Sequence, residues 1–170
     1  MNLIEEKFYG GLIGSGLGDA IGELAFRYGD RKALLREVRN RKEVHYTDDT
    51  AMALGIAEII TSTENNWTTQ DLGKQFHLNF NREPYRGYGM GPPHIFSVVE
   101  KSHKPYTEVA RSLFNNQGSY GNGASMRIAP LGIFYYDSDE IYEIARKAAI
   151  ATHTHPLGID GAAVLAKLLS

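Results

Sequence analysis

Apolar residues recur along the chain at three- and four-residue intervals, first as Ile13, Leu17, Ile21 and Leu24, and this spacing predicts a helix over about residues 4–26. Beside that stripe, Gly10, Gly14, Gly18 and Gly22 recur every fourth residue. Glycine costs about 1 kcal/mol in a helix interior relative to alanine, so four in one ridge predict a close backbone approach there and a central place for the helix. A second helix is expected from Asp48, burying Met52, Ile56, Ile59 and Ile60. A third follows Thr68-Thr69-Gln70-Asp71, a capping-box-like start, with Leu72, Phe76 and Phe80 spaced by four.

Residues 81–93 read as a glycine- and proline-rich loop, and Pro93 suits the first turn of a short helix from His94 to Glu100. Further helices are expected at Thr107 to Phe114 and Met126 to Tyr135. Asp137-Ser138-Asp139-Glu140 should open another, carrying Ile141, Ile144, Ala148 and Ala151. A last helix from about Gly158 places Ala162, Leu165 and Leu169 on one face and reaches Ser170 without a glycine cap. No strand alternation flanked by hairpin signals interrupts this pattern. The expected fold is all-α and compact, with residues 1–170 forming one domain or part of one and ending inside a helix.

Composition narrows the function. With 42% apolar residues the chain can bury a substantial core. Its net charge of −2 gives no strong field toward nucleic acid or a membrane surface. The absence of cysteine removes thiolate metal sites and a cysteine nucleophile, so any metal must take oxygen or imidazole ligands. The acidic start of the chain is unlike a signal peptide and no apolar run could span a bilayer, so a cytoplasmic location is expected.

Tyr46-Thr47-Asp48-Asp49-Thr50 is the sharpest local feature. Threonine and aspartate there could simply cap a helix and complement its dipole. Alternatively, adjacent carboxylates at an irregular first turn could hold a hard cation such as magnesium, which takes oxygen ligands. Two glycine-rich loops, Gly87-Tyr88-Gly89-Met90-Gly91 and Gly118-Ser119-Tyr120-Gly121-Asn122-Gly123, are either ordinary turns or sources of exposed amides for phosphate, with Tyr88 or Tyr120 available to face an adenine or ribose. In Thr152-His153-Thr154-His155-Pro156, a helix start with one histidine facing a pocket is favoured over a zinc pair. His45, His77, His94 and His103 read as surface or packing residues. Asp19, an isolated acid in the first helix, needs a partner, by default a structural hydrogen bond.

Taken in order, Gly18-Asp19-Ala20-Ile21-Gly22, Tyr46-Thr47-Asp48-Asp49-Thr50-Ala51-Met52-Ala53, the Gly-Tyr-Gly loop, Ser119-Tyr120-Gly121-Asn122-Gly123-Ala124-Ser125-Met126-Arg127 and Thr152-His153 resemble the ADP-ribosylglycohydrolase family over nearly the whole chain. The two glycine loops are particularly similar to its serine-directed ADP-ribosylhydrolase 3 branch, which also attacks poly(ADP-ribose) and O-acetyl-ADP-ribose. The resemblance implies an all-helical hydrolase that uses two magnesium ions to cleave the glycosidic bond to ADP-ribose, its partner being ADP-ribose or an ADP-ribosylated protein. On that basis Thr47, Asp48 and Asp49 are metal ligands. Gly89, Gly91, Ser119, Tyr120, Gly121, Asn122 and His153 surround the ADP-ribose, and Glu23, Asp48 and Asp49 are the catalytic candidates.

Two departures qualify the expectation. Where the serine-directed branch has a functional glutamate, this chain has Phe26; Glu23 is near but faces elsewhere if the helix stays regular. The family's second ligand group, Asp-x-Asp followed by threonine or serine, lies far downstream and is not matched by Asp137-Ser138-Asp139. On that basis residues 1–170 are the N-terminal part of a single domain incomplete at its C-terminus, whose unpacked apolar faces favour self-association; the alternative is a catalytically incompetent ADP-ribose-binding module or half-enzyme.

Overall fold

The computed structural model describes residues 3–170, with side chains from residue 5 onward. Met1 and Asn2, the start of the stretch read as unlike a signal peptide, lie outside the described residues. The order of elements is α1 (Leu3–Ala25), α2 (Arg31–Asn40), α3 (Asp48–Ser62), α4 (Thr69–Arg82), α5 (Gly91–Ser102), α6 (Tyr106–Asn116), a 3₁₀ turn (Asn122–Ala124), α7 (Ala129–Phe134), α8 (Ile141–Ala149) and α9 (Pro156–Leu169). No strand occurs among the described residues, so the all-α class expected from the periodicity holds.

The central helix is α3. Residues from Ala51 to Ile60 are buried on more than one of its faces, against α4, α7 and α1. Its Met52, Ile56 and Ile60 share one core with Leu72 and Phe76 of α4, Ile95 and Phe96 of α5 and Leu131 of α7. Each such fully buried side chain contributes roughly 1.5–3 kcal/mol. The start of α4 is the capping box read from sequence: the Thr68 hydroxyl accepts from the Asp71 amide, and the Asp71 carboxylate accepts from the Thr68 amide.

The central place expected of α1 is not observed. Ile13 and Leu17 of its stripe are 59% and 49% exposed, and from Glu5 to Ala25 only Ala20 and Leu24 are buried. A Cβ added at Gly10, Gly14, Gly18 or Gly22 would meet nothing within 4 Å; the close approach is instead at Gly11, where it would lie 2.5 Å from Ile133 Cδ1. The glycine ridge faces open space because α1 packs by its other side.

Several boundaries move. Helix α2 was not expected: it buries no residue, and its clearest signal is Asp30, whose carboxylate accepts from the Ala33 amide at 2.9 Å. Regular helix in α6 stops at Leu113, after which Phe114 and Asn115 take positive φ. The 126–135 segment is helical only from Ala129 to Phe134. Helix α8 starts after Glu140, which makes no side-chain cap, and ends before Ala151. On α9 the buried face is Ala162, Ala163 and Ala166, whereas Leu165 and Leu169 are 36% and 40% exposed. Small residues let α7 and α9 approach so closely that a Cβ at Gly132 would fall 2.8 Å from the Ala166 carbonyl. No described helix is long and apolar enough to cross a membrane.

Candidate functional site

Asp19 on α1 ties the loop before α3 to the helix bundle. Its Oδ1 accepts from the Thr47 hydroxyl at 2.6 Å, and its Oδ2 accepts from the Thr47 amide, the Thr50 amide and the Thr50 hydroxyl at 2.8, 3.1 and 2.6 Å. The isolated acid thus has the structural partners that its setting called for, and its charge lies at the positive end of α3. The cap itself is Thr47, whose hydroxyl oxygen accepts from the Asp49 amide at 3.3 Å. The carboxylates of Asp48 and Asp49 are therefore not used as the side-chain cap.

Both are held in a setting hostile to their charge. Burial, then repulsion from Asp49, pushes the Asp48 carboxyl up to about 6. Burial, then repulsion from Asp19, raises Asp49. The Gly89 amide facing Asp48 opposes the rise without cancelling it. Partly buried, mutually repelling carboxylates fit a divalent cation, which would return them to the ionised form. Among the described residues no third His, Asp or Glu completes a cluster with them.

Two adjoining cavities share Asp48, Asp49, Asn122 and Met126 in their walls. The larger, about 720 Å³, runs along the α1 ridge past Gly14, Gly18, Asp19, Gly22 and Glu23. The smaller, about 260 Å³, is walled by Gly89, Gly91, Ser119, Gly121, Asn122, Gly123 and His153. Six of the seven residues expected around the ligand thus converge on one hollow. The seventh, Tyr120, is 66% exposed and sets its ring edge-on to His155, 5.5 Å between centroids, outside that wall. Tyr88 packs inward against Phe80 at 5.1 Å, so it offers no free aromatic face comparable to that of Tyr120.

His153 is 6% exposed, with Nδ1 2.8 Å from the Thr152 hydroxyl. Burial, with the charge of Arg127 behind it, lowers its pKa to about 3, so the imidazole facing the hollow is neutral. His155 instead caps α9, its Nδ1 accepting from the Leu157 amide at 3.2 Å, which separates the roles of the two histidines. Glu23 does reach the larger cavity, contrary to the expectation from a regular helix, although it pairs with Arg27 at 2.7 Å. Phe26 follows the end of α1, lines the same cavity and is 94% exposed.

Phe114 and Arg127 also shape the site, although no role was expected of either. Phe114 enters the smaller hollow because the chain turns left-handed through Phe114, Asn115 and Asn116; the consecutive asparagines, which tolerate that region, were the available signal. Arg127 is fully buried without a carboxylate partner among the described residues. It donates to the Ala148 carbonyl at 3.1 Å, at the negative end of α8, and stacks 4.3 Å over Phe76. Its pKa falls to about 9 through burial.

A family model described as ADP-ribosylglycohydrolase matches residues 1–170. The chain is 36% identical over 166 residues to the ADP-ribosylhydrolase ARH3 of Xenopus tropicalis and 32% identical over 171 residues to that of Homo sapiens, in each case covering 92% of this chain and 47% of the relative. It is also 29% identical over 188 residues to the Escherichia coli protein YegU, covering 97% of this chain and 53% of the relative. The chain thus spans about half the length of the curated relatives it matches.

Proposed function

The chain belongs to the ADP-ribosylglycohydrolase family, and from that premise we propose that it contributes the ADP-ribose-binding and metal-binding face of a hydrolase that cleaves the bond between ADP-ribose and a protein side chain, serine being the favoured acceptor. The carrying observation is that Asp48 and Asp49 stand at the boundary of two cavities, one of them walled by both glycine loops and His153.

In this reading the smaller hollow takes the ADP-ribose, whose diphosphate meets backbone amides of the glycine loops. Neutral His153 and Asn122 hydrogen-bond the ribose side without adding charge. The anomeric carbon lies toward Asp48 and Asp49, and the departing side chain leaves through the larger cavity. Water attacks the anomeric carbon as its bond to the acceptor oxygen breaks, and a carboxylate of Asp48, Asp49 or Glu23 moves the proton to that oxygen. Thr47, Asp48 and Asp49 would hold magnesium, which would orient the ribose hydroxyls and offset charge as the bond breaks.

A second reading, binding without turnover, draws on Asp19: its four hydrogen bonds take up its oxygens and leave two carboxylates for a cation. Calorimetric titration with ADP-ribose, with and without magnesium, tests the shared premise. Release of ADP-ribose from an ADP-ribosyl-serine peptide then separates hydrolase from binder. No magnesium-dependent heat with ADP-ribose would sink both.

A further inference from the structure

The overall charge of −2 conceals a strong local asymmetry. Between Arg27 and Lys42 seven basic residues stand against Asp30 and Glu37. Two of the seven, Arg27 and Arg41, are paired with Glu23 and Glu37. Arg31, Lys32, Arg36, Arg39 and Lys42 are all exposed, and none forms an ion pair with a carboxylate among the described residues. Lys32, Arg36 and Arg39 stand at helical spacing and line one shallow hollow of about 270 Å³ with Leu35, which is 42% exposed.

The helix that carries this face borders the cleft at its C-terminal end. A third cavity, about 460 Å³, shares Glu23, Thr47 and Gly87 with the large cleft, and its far wall includes Arg41, the residue that ends α2. The guanidinium groups that line that cavity are already paired, because Arg27, Arg41 and Arg86 each engage a glutamate at 2.5–2.7 Å. Unpaired positive charge begins only beyond it, on α2.

We propose that α2 docks an acidic segment of the polypeptide that carries the modification, a few residues from the modified side chain. The inference rests on the reading that the cleft takes ADP-ribose. Charge placement selects the partner. A further nucleotide diphosphate leaving the cleft would set its phosphates in the third cavity, among guanidinium groups already engaged and their glutamates. An uncharged backbone crosses that cavity without penalty and brings carboxylates to the free cations of α2. Exposed pairs of this kind are individually weak and screened by salt, so they bias substrate choice and association more than they anchor it.

The test compares, by titration at low salt, free ADP-ribose, an ADP-ribosyl-serine peptide flanked by glutamates, the same peptide flanked by glutamines, the unmodified glutamate peptide and a linear ADP-ribose dimer. Three or four such pairs predict about tenfold tighter binding of the glutamate-flanked than of the glutamine-flanked modified peptide. That advantage should shrink to about threefold in Arg36→Gln/Arg39→Gln, vanish at high salt and survive in Arg36→Lys/Arg39→Lys, with free ADP-ribose bound equally by all three proteins. Equal binding of both modified peptides, with ADP-ribose still bound, would overturn the proposal. So would an Arg36- and Arg39-dependent gain for the dimer instead of the peptide. If free ADP-ribose fails to bind, the functional reading falls and this proposal falls with it, an outcome distinct from equal binding of the two modified peptides by a protein that still binds ADP-ribose.

Discussion

Asp19 and Thr47, 28 residues apart, are joined by two hydrogen bonds, 2.6 Å from the Thr47 hydroxyl and 2.8 Å from its amide. Through this contact a carboxylate on α1 fixes the turn that presents Asp48 and Asp49. Asp19→Ala should strand these donors and those of Thr50, lowering stability by roughly 2–4 kcal/mol in denaturant unfolding. Because the turn is also displaced, magnesium-dependent ADP-ribose affinity should fall even where the variant is fully folded. Wild-type affinity in the folded variant would show that the contact serves stability alone.

Asp48 has the opposite energetic sign. Its folded pKa, about 6, lies above the ordinary carboxylate value, so its contribution is favourable at pH 4 and is lost as pH rises through 6. Asp48→Asn should therefore raise the melting temperature of the metal-free chain at pH 7 and change it little at pH 4. With partial solvent screening the gain is on the order of 1 kcal/mol. Magnesium should stabilise the wild type and not this variant. A destabilised Asp48→Asn chain at pH 7 would contradict the assignment.

His153 sets an acid limit. Its pKa of about 3 lies well below the ordinary value, so the unfolded chain takes up a proton first as pH drops below about 6.5. This group should remove stability at about 1.4 kcal/mol per pH unit until pH 3. His153→Gln should flatten that part of the profile measured by urea unfolding. An unchanged slope would place the acid sensitivity elsewhere.

The two glycines facing His153 should respond differently. A Cβ at Gly123 would lie 2.7 Å from His153 Cε1 and 2.8 Å from Nε2, whereas one at Gly121 would lie 3.4 Å from Ser119 Oγ and 3.8 Å from Nε2. Gly123→Ala should displace the imidazole and weaken ADP-ribose binding at least tenfold, and Gly121→Ala should be mild. Calorimetry on both variants checks this; equal affinities would remove His153 and its loop from the binding site.

The chain's local signals were sufficient for the helices whose apolar periodicity is matched by burial. Met52, Ile56, Leu72 and Phe76 announce α3 and α4 because each faces a core that satisfies the same spacing. Thr68 and Asp71 announce the α4 cap because its hydrogen bonds are local. The ordered motifs likewise marked the residues of the two loops and the Thr47–Asp49 turn. Sequence could not decide which side of α1 is buried, since both its glycine ridge and its Ile13–Leu17 stripe suit a packed face, and only the position of Ile133 selects Gly11. Nor could spacing reveal that Asp19 holds Thr47 and Thr50, that Tyr88 packs on Phe80 while Tyr120 stays outside, or that Arg127 lies behind His153. Those facts depend on contacts across 26 or more residues or on how a loop is oriented, and a hydrogen bond or a buried charge acquires its partner only when distant helices pack.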